Sequence, residues 1–161
     1  MTVACILNGK EVSVRVRTFD RLADLLRERF GLLGLHADCR RGLCGSCLVL
    51  LDGNLTPSCL VPAFAVAGKL VVTIEGFRET REYADIAEAF EEAAVEDCGS
   101  CRNAKILAIA TLLERLGRPG PAEIAEGLSA VRCRCTDHAQ LERVVGLAAD
   151  RRARRLYRRG R

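Results

Sequence analysis

Nine cysteines in 161 residues, arranged as two sets of four plus one outlier, constrain this chain more than any other feature. The opening MTVACILNGKEVSVRVR turns polar too early for a signal peptide, and no stretch approaches the roughly 20 apolar residues that span a bilayer. The expected compartment is therefore the cytoplasm, with no membrane insertion, where such a cysteine density favours metal ligation over disulfides. The length allows two small domains of roughly 75 to 85 residues each. Aromatics are only 4% of the chain and Trp is absent, so something besides large buried rings must stabilise two cores of that size.

Thr2 to Leu7 is largely apolar, Asn8-Gly9 is a two-residue turn, and Val12, Val14 and Val16 alternate with polar residues. This predicts a β-hairpin with one buried face. Leu22, Leu25 and Leu26 stand at helical spacing, after Thr18 or Asp20 as N-cap and before a terminating Gly31. Beyond a Gly-, Arg- and Cys-rich loop, Leu48 to Leu51 and the Asp52-Gly53 turn predict a second hairpin, and Lys69 to Ile74 a final strand. From Glu75 to Asp97 nine acids face two arginines, yet Ile86, Phe90, Ala93 and Ala94 keep a helical stripe, which predicts one amphipathic connecting helix. Ala104 to Leu116 is apolar nearly all round and reads as a buried central helix. Pro121 opens another helix to about Leu128, and Leu141, Val144, Val145 and Ala148 mark a last one. The expected fold class is α+β: a sheet domain over 1–76, an all-helical domain over 77–150 and an arginine-rich tail over 151–161.

The tail explains the formal charge of +4: without its seven arginines, 18 basic residues against 21 acidic leave −3. Such a run is solvated, docked on a partner subunit or paired with the acidic stretch; a nucleic-acid or membrane-surface arm is the minor alternative, and no nucleic-acid partner is expected.

The first cysteine set is Cys39, Cys44, Cys47 and Cys59, spaced C-x4-C-x2-C-x11-C, with three members on one loop. That is the plant-type ferredoxin spacing of a [2Fe-2S] cluster, whereas zinc loops usually show paired C-x2-C knuckles. Gly42, Gly45 and Ser46 allow the loop to close around a cluster and aim backbone N–H groups at its sulfurs. The second set is Cys98, Cys101, Cys133 and Cys135, spaced C-x2-C-x31-C-x-C, each pair near the start of a predicted helix. Helix N-termini suit thiolates and anionic clusters, but taken alone this set fits either zinc or an iron-sulfur cluster.

Together, LNGKEVSV, DCRRGLCGSC, LLDGNLTPSCL, VVTIEG, DCGSC and VRCRCTDH, in this order, resemble the small iron-sulfur subunit of the molybdenum hydroxylases, the xanthine dehydrogenase, aldehyde oxidoreductase and carbon monoxide dehydrogenase family. The resemblance covers about residues 2 to 149. It implies an N-terminal β-grasp ferredoxin-like domain followed by an all-helical [2Fe-2S]-binding domain, with two [2Fe-2S] clusters on the eight cysteines. Gly42, Gly45, Ser46, Asp97 and Gly99 would surround those clusters. The implied partners are a medium FAD subunit beside a large molybdenum-pterin subunit, in a hetero-oligomer such as a dimer of heterotrimers. Electrons would run from the pterin to the helical-domain cluster, with Cys135 the ligand nearest the pterin, then to the ferredoxin-type cluster and on to FAD or another acceptor.

Several positions depart from the family pattern: Asp97 replaces Gln, Arg102-Asn103-Ala104 replaces Thr-Pro-Gly, Ala130-Val131 replaces Gly-Asn, and Asp137-His138 replaces Gly-Tyr. Arg40-Arg41 also stands where acidic character is usual, a change that would raise the cluster's potential or suit a different partner face. Cys5, among apolar neighbours in the first strand, reads as a buried thiol and not as a ligand, and His36 is not needed beside four cysteines. His138 would cap a helix or meet a partner, while Arg132 and Arg134 would steady reduced cluster, bind an anionic pterin phosphate or make ordinary surface pairs.

No nucleophile with its base, Rossmann loop or P-loop is present, so the chain is expected to have no catalytic centre of its own. The expected role is an electron-transfer subunit. The competing readings are a free ferredoxin-like carrier and a binding or regulatory module with zinc or no metal in its helical half.

Overall fold

The computed structural model describes residues 1–159, the side chain of Arg159 excepted; Gly160 and Arg161, the end of the expected tail, lie outside the described residues. Strands β1 (Thr2–Leu7) and β2 (Lys10–Arg15) form an antiparallel hairpin. Asn8 (φ 49°) and Gly9 (φ 78°) take the left-handed conformations that a tight hairpin turn demands. Val3, Cys5 and Leu7 are buried and their neighbours exposed, the strand period of two.

Helix α1 (Leu22–Glu28) buries Leu22, Ala23, Leu25 and Leu26, and Gly31 (φ 64°) follows its end as expected. The expected N-caps do not cap it: the helix begins after Arg21 with no side-chain cap, and Asp20 instead accepts the N–H of Arg17 at 2.9 Å. Strands β3 (Leu48–Leu51) and β4 (Asn54–Pro57) make the second hairpin, and β5 (Leu70–Val72) runs between β1 and β3, giving the order β2-β1-β5-β3-β4. β5 is parallel to β1 and antiparallel to β3.

At β3 and β5 both faces of this sheet are covered. Val49 and Val71 pack on the α1 side, whereas their neighbours Leu50 and Val72 pack with Leu55 against the helical half. The alternation that builds the first core thus also fastens the two halves together.

The junction differs from expectation. Ile74, expected in the last strand, opens α2 (Ile74–Phe77), and the single connecting helix is two, α2 and α3 (Arg81–Glu92). The cause is local hydrogen bonding: the Asn8 side chain accepts the Thr73 N–H at 2.8 Å, and the Phe77 N–H reaches the Thr73 carbonyl at 2.9 Å. The turn so formed buries Ile74 and Phe77 in the helical core. Thr80 restarts the helix by accepting the Tyr83 N–H on its hydroxyl at 3.1 Å.

Helix α4 (Arg102–Leu116) is the buried central element, and α5 (Pro121–Leu128) starts on its proline. Helix α6 (His138–Arg159) runs on past residue 150, so residues 151–159 of the expected separate tail form its last turns, and the helix packs along α3. Arg151 pairs with Glu88 and Glu92, and Arg155 lies 2.7 Å from Asp85 and 2.9 Å from Glu82. Two arginines of the basic run thus pair with four acids of α3 within the chain. The Arg155 side chain is only 11% exposed, so Arg155→Met, which strands Asp85 without its counter-charge, is expected to cost about 2 kcal/mol. A thermal melt with an unchanged midpoint would refute this.

Candidate metal centres

The first four cysteines come from three places. Cys39 and Cys44 lie on the loop between α1 and β3, Cys47 directly precedes β3, and Cys59 sits in a short 3-10 turn after β4. The β3–β4 hairpin brings Cys59 back beside Cys47, since Ser58, its neighbour, bonds the Cys47 carbonyl through both N–H (3.2 Å) and hydroxyl (2.7 Å).

Three backbone N–H groups point at Cys39 Sγ: Arg41 at 3.4 Å, Leu43 at 3.3 Å and Cys44 at 3.4 Å. Led by the Arg41 bond and helped by the Cys44 N–H and thiol, they hold the Cys39 thiol down to about 6. Burial pushes the Cys47 thiol up to about 11, and it donates to Cys59. The loop owes its shape to Gly42 (φ 71°) and Gly45 (φ 73°). Ser46 is buried, its hydroxyl donating to the His36 carbonyl at 2.7 Å and lying 3.0 Å from Cys44 Sγ. His36 braces Ser46 with its backbone.

In the second set, Cys98 and Cys101 precede α4, and Cys133 and Cys135 lie on the loop before α6. Cys101 is buried, Cys133 half-buried, and Cys98 and Cys135 exposed. Burial pushes the Cys101 thiol up to about 11, and it donates to Cys133. Desolvation acts upward on Cys133 too, but the Cys101 thiol, the Cys135 N–H, Lys105 and the Thr136 N–H together bring it down to about 6. The Ser100 backbone N–H lowers Cys98, which also accepts from the Cys135 thiol and thereby raises Cys135. Asp97 and Gly99 frame this site: Asp97 Oδ1 accepts the Gly99 N–H at 3.0 Å, and Gly99 takes φ 78°.

The eight thiols thus meet as four pairs, Cys39 with Cys44, Cys47 with Cys59, Cys98 with Cys135 and Cys101 with Cys133. Two pairs per site is the donor set of two irons with two thiolates each, so the residues present fit a [2Fe-2S] cluster. Cys5 is a buried thiol in β1, and its burial raises its pKa.

The two sites abut. The Arg132 N–H, next to Cys133, donates to the Cys44 carbonyl at 3.0 Å. A Cβ on Gly45 would stand 1.9 Å from the Ala130 carbonyl oxygen, so only glycine permits this approach.

The unusual residues fall around these sites. Arg102 stacks on the Phe90 ring at 5.0 Å, Asn103 bonds the Gly34 carbonyl at 2.8 Å across the halves, and Ala104 is buried. His138 opens α6 and faces Glu142 at 3.0 Å. Arg40 pairs with Asp24 at 3.0 Å, which offsets part of the charge expected to act on the first site. Arg132 and Arg134 are exposed and make no ion pair among the described residues. Lys105, inside α4 and against the second set, was not singled out by the sequence, where it reads as one charge in an apolar helix.

Comparison with known proteins agrees with this geometry. Residues 5–70 match the 2Fe-2S iron-sulfur cluster binding domain, and residues 73–145 match the [2Fe-2S] binding domain. The nicotinate dehydrogenase small FeS subunit of Eubacterium barkeri is 33% identical over 151 residues, covering 94% of this chain and 96% of its own length. The xanthine dehydrogenase iron-sulfur-binding subunit of Escherichia coli O157:H7 is 32% identical over 148 residues, covering 90% and 92%. The crystal structure of quinoline 2-oxidoreductase from Pseudomonas putida 86 contains a chain that superposes with a TM-score of 0.87 at 29% identity, covering 96% of each. The second site is therefore of the iron-sulfur type, and the zinc alternative falls. Two cluster-binding halves in this order, over nearly the whole of both chains, make this protein a member of the small iron-sulfur subunits of the molybdenum hydroxylases.

Proposed function

We propose that Cys39, Cys44, Cys47 and Cys59 hold one [2Fe-2S] cluster and Cys98, Cys101, Cys133 and Cys135 the other, in a chain divided near residue 76 that has no catalytic centre of its own. When bound, the clusters supply the one-electron chemistry by which this family relays electrons from a molybdenum-pterin centre toward FAD or another acceptor. The observation that carries the reading is the contact between the two ligand loops, the 3.0 Å hydrogen bond from Arg132 to the Cys44 carbonyl. It ties a residue adjacent to one ligand directly to another ligand's backbone, a close link that a protein with two unrelated metal sites would not need.

The chain's own residues divide the work. Exposed Cys98 and Cys135 mark the edge offered to the molybdenum-pterin subunit, while Cys101 and Cys133 lie deeper. Gly42, Gly45 and Ser46 shape the first loop, and Asp97 and Gly99 the second. The N–H groups on Cys39 stabilise negative sulfur there. The proposed assembly is a dimer of heterotrimers with a large molybdenum-pterin and a medium FAD subunit, in the cytoplasm. No helix among the described residues is long and apolar enough to cross a membrane.

The test is iron and acid-labile sulfide analysis with EPR of the dithionite-reduced chain. Two distinguishable [2Fe-2S] signals with matching iron and sulfide are expected, and a single signal would overturn the assignment of the second set. A pH dependence follows from the shifted thiols. Cys47 and Cys101, pushed up to about 11, must release protons to bind iron at any ordinary pH, and Cys39 and Cys133, held at about 6, add to that below pH 6, so iron uptake by metal-free chain should weaken as pH falls and most steeply below about pH 6. Uptake that stays flat from pH 8 to pH 5 would contradict those assignments.

A further inference from the structure

Lys105 lies one turn into α4 from Cys101 and is 1% exposed. Lysine is almost never buried so completely without a partner, because an ammonium loses most of its hydration there. Its Nζ donates to Thr136 Oγ1 at 2.6 Å, and Thr136 is itself buried. Thr136 Oγ1 in turn lies 3.8 Å from Cys133 Sγ, and Lys105 acts to lower both the Cys101 and the Cys133 thiol. No carboxylate pairs with it among the described residues, and its helix neighbours Ile106, Leu107, Ala108 and Ile109 are all buried and apolar. The Thr136 hydroxyl accepts that hydrogen bond but carries no charge to balance the ammonium. The nearby groups able to carry negative charge, and on which Lys105 acts, are the Cys101 and Cys133 sulfurs.

We propose that Lys105 is the internal counter-ion of the helical-domain cluster, holding a fixed positive charge against the Cys101 and Cys133 sulfurs and so raising that cluster's reduction potential. The inference rests on the cluster assignment above. Its physical basis is simple: four cysteinates and two sulfides outweigh the charge of two irons, and each added electron increases the negative excess. A positive group held at the ligand sulfurs therefore favours the reduced form over the oxidised one. Thr136 keeps the ammonium at that position and limits its alternatives. Lys105 is by this account a positioning residue for charge, and it makes the second site a better electron acceptor at the end of the relay nearest the pterin.

The test is an EPR-monitored redox titration of the intact chain in its assembled complex, for wild type, Lys105→Met, Lys105→Gln and Thr136→Val, with iron and sulfide measured on the same samples. Both neutral variants should shift the helical-domain midpoint to more negative potential while the ferredoxin-type midpoint stays in place; Thr136→Val, which keeps the charge, should shift it less. Full iron content with unchanged midpoints in Lys105→Met and Lys105→Gln overturns the proposal and leaves the cluster assignment standing. Half the iron in the wild type overturns both. Selective failure of the two neutral variants to load the helical-domain cluster, with the other cluster and Thr136→Val intact, supports the counter-ion, since those variants retain side-chain length but lose charge.

Discussion

A Cys133→Ser chain is expected to carry half of the wild-type iron and acid-labile sulfide, to lose one of two [2Fe-2S] EPR signals, and to pass no electrons from a molybdenum partner to the acceptor. Serine is nearly the same size, so packing around this half-buried position changes little. What changes is the donor: a hydroxyl stays protonated where Cys133, lowered to about 6 by its hydrogen bonds, is a thiolate, and oxygen is a poorer match than sulfur for an iron-sulfur centre. Cys59→Ser is the mirror experiment and should remove the other signal. The ferredoxin-type signal should survive Cys133→Ser unaltered, because Cys44 meets that loop through the backbone of Arg132 and not through the Cys133 side chain. Retention of all iron in either variant would refute the ligand sets.

Gly45→Ala should leave both clusters bound but slow electron passage between them and destabilise the chain. Two costs add. At φ 73° a side chain other than glycine's is strained, and the added carbon would meet the Ala130 carbonyl oxygen at 1.9 Å, backbone against backbone, so one of the loops must move. Moving it stretches the 3.0 Å bond from Arg132 to Cys44. The combined loss is on the order of 3 kcal/mol. Two other glycines calibrate this. At Gly42 the added carbon would meet only the flexible end of Leu60, and at Gly99 it would meet nothing within 4 Å, so both should cost little beyond the φ strain of about 1 kcal/mol. Denaturant midpoints that rank the three substitutions equally would show that loop docking is not what Gly45 serves.

Much of the molecule could be read before it was folded. The Asn8-Gly9 hairpin, the buried α4 and the proline start of α5 are each written in residues close together in the chain, so local turn chemistry and periodicity suffice. The split of the connecting helix was not legible, because Thr73 is turned by Asn8, 65 residues away. The course of α6 was missed for a similar reason. A run of arginines has no apolar stripe to announce a helix, and its partners on α3 are 59 to 73 residues earlier.

The sequence by itself determined which eight thiols form the two candidate sites and, from the spacing of the first set, the plant-type character of that one. The spacing of the second set fitted zinc as well, and only its place beside the first set spoke for iron-sulfur. Tertiary structure alone decided what surrounds them. Lys105 looks like one misplaced charge until α4 buries it on Thr136, whose hydroxyl also meets Cys133. Gly45 looks like one more loop glycine until Ala130 comes within a carbon atom's width of it. Burial and close approach are properties of pairs far apart in sequence, and no local pattern encodes them; they set which charges face the sulfurs and how near the two ligand loops lie.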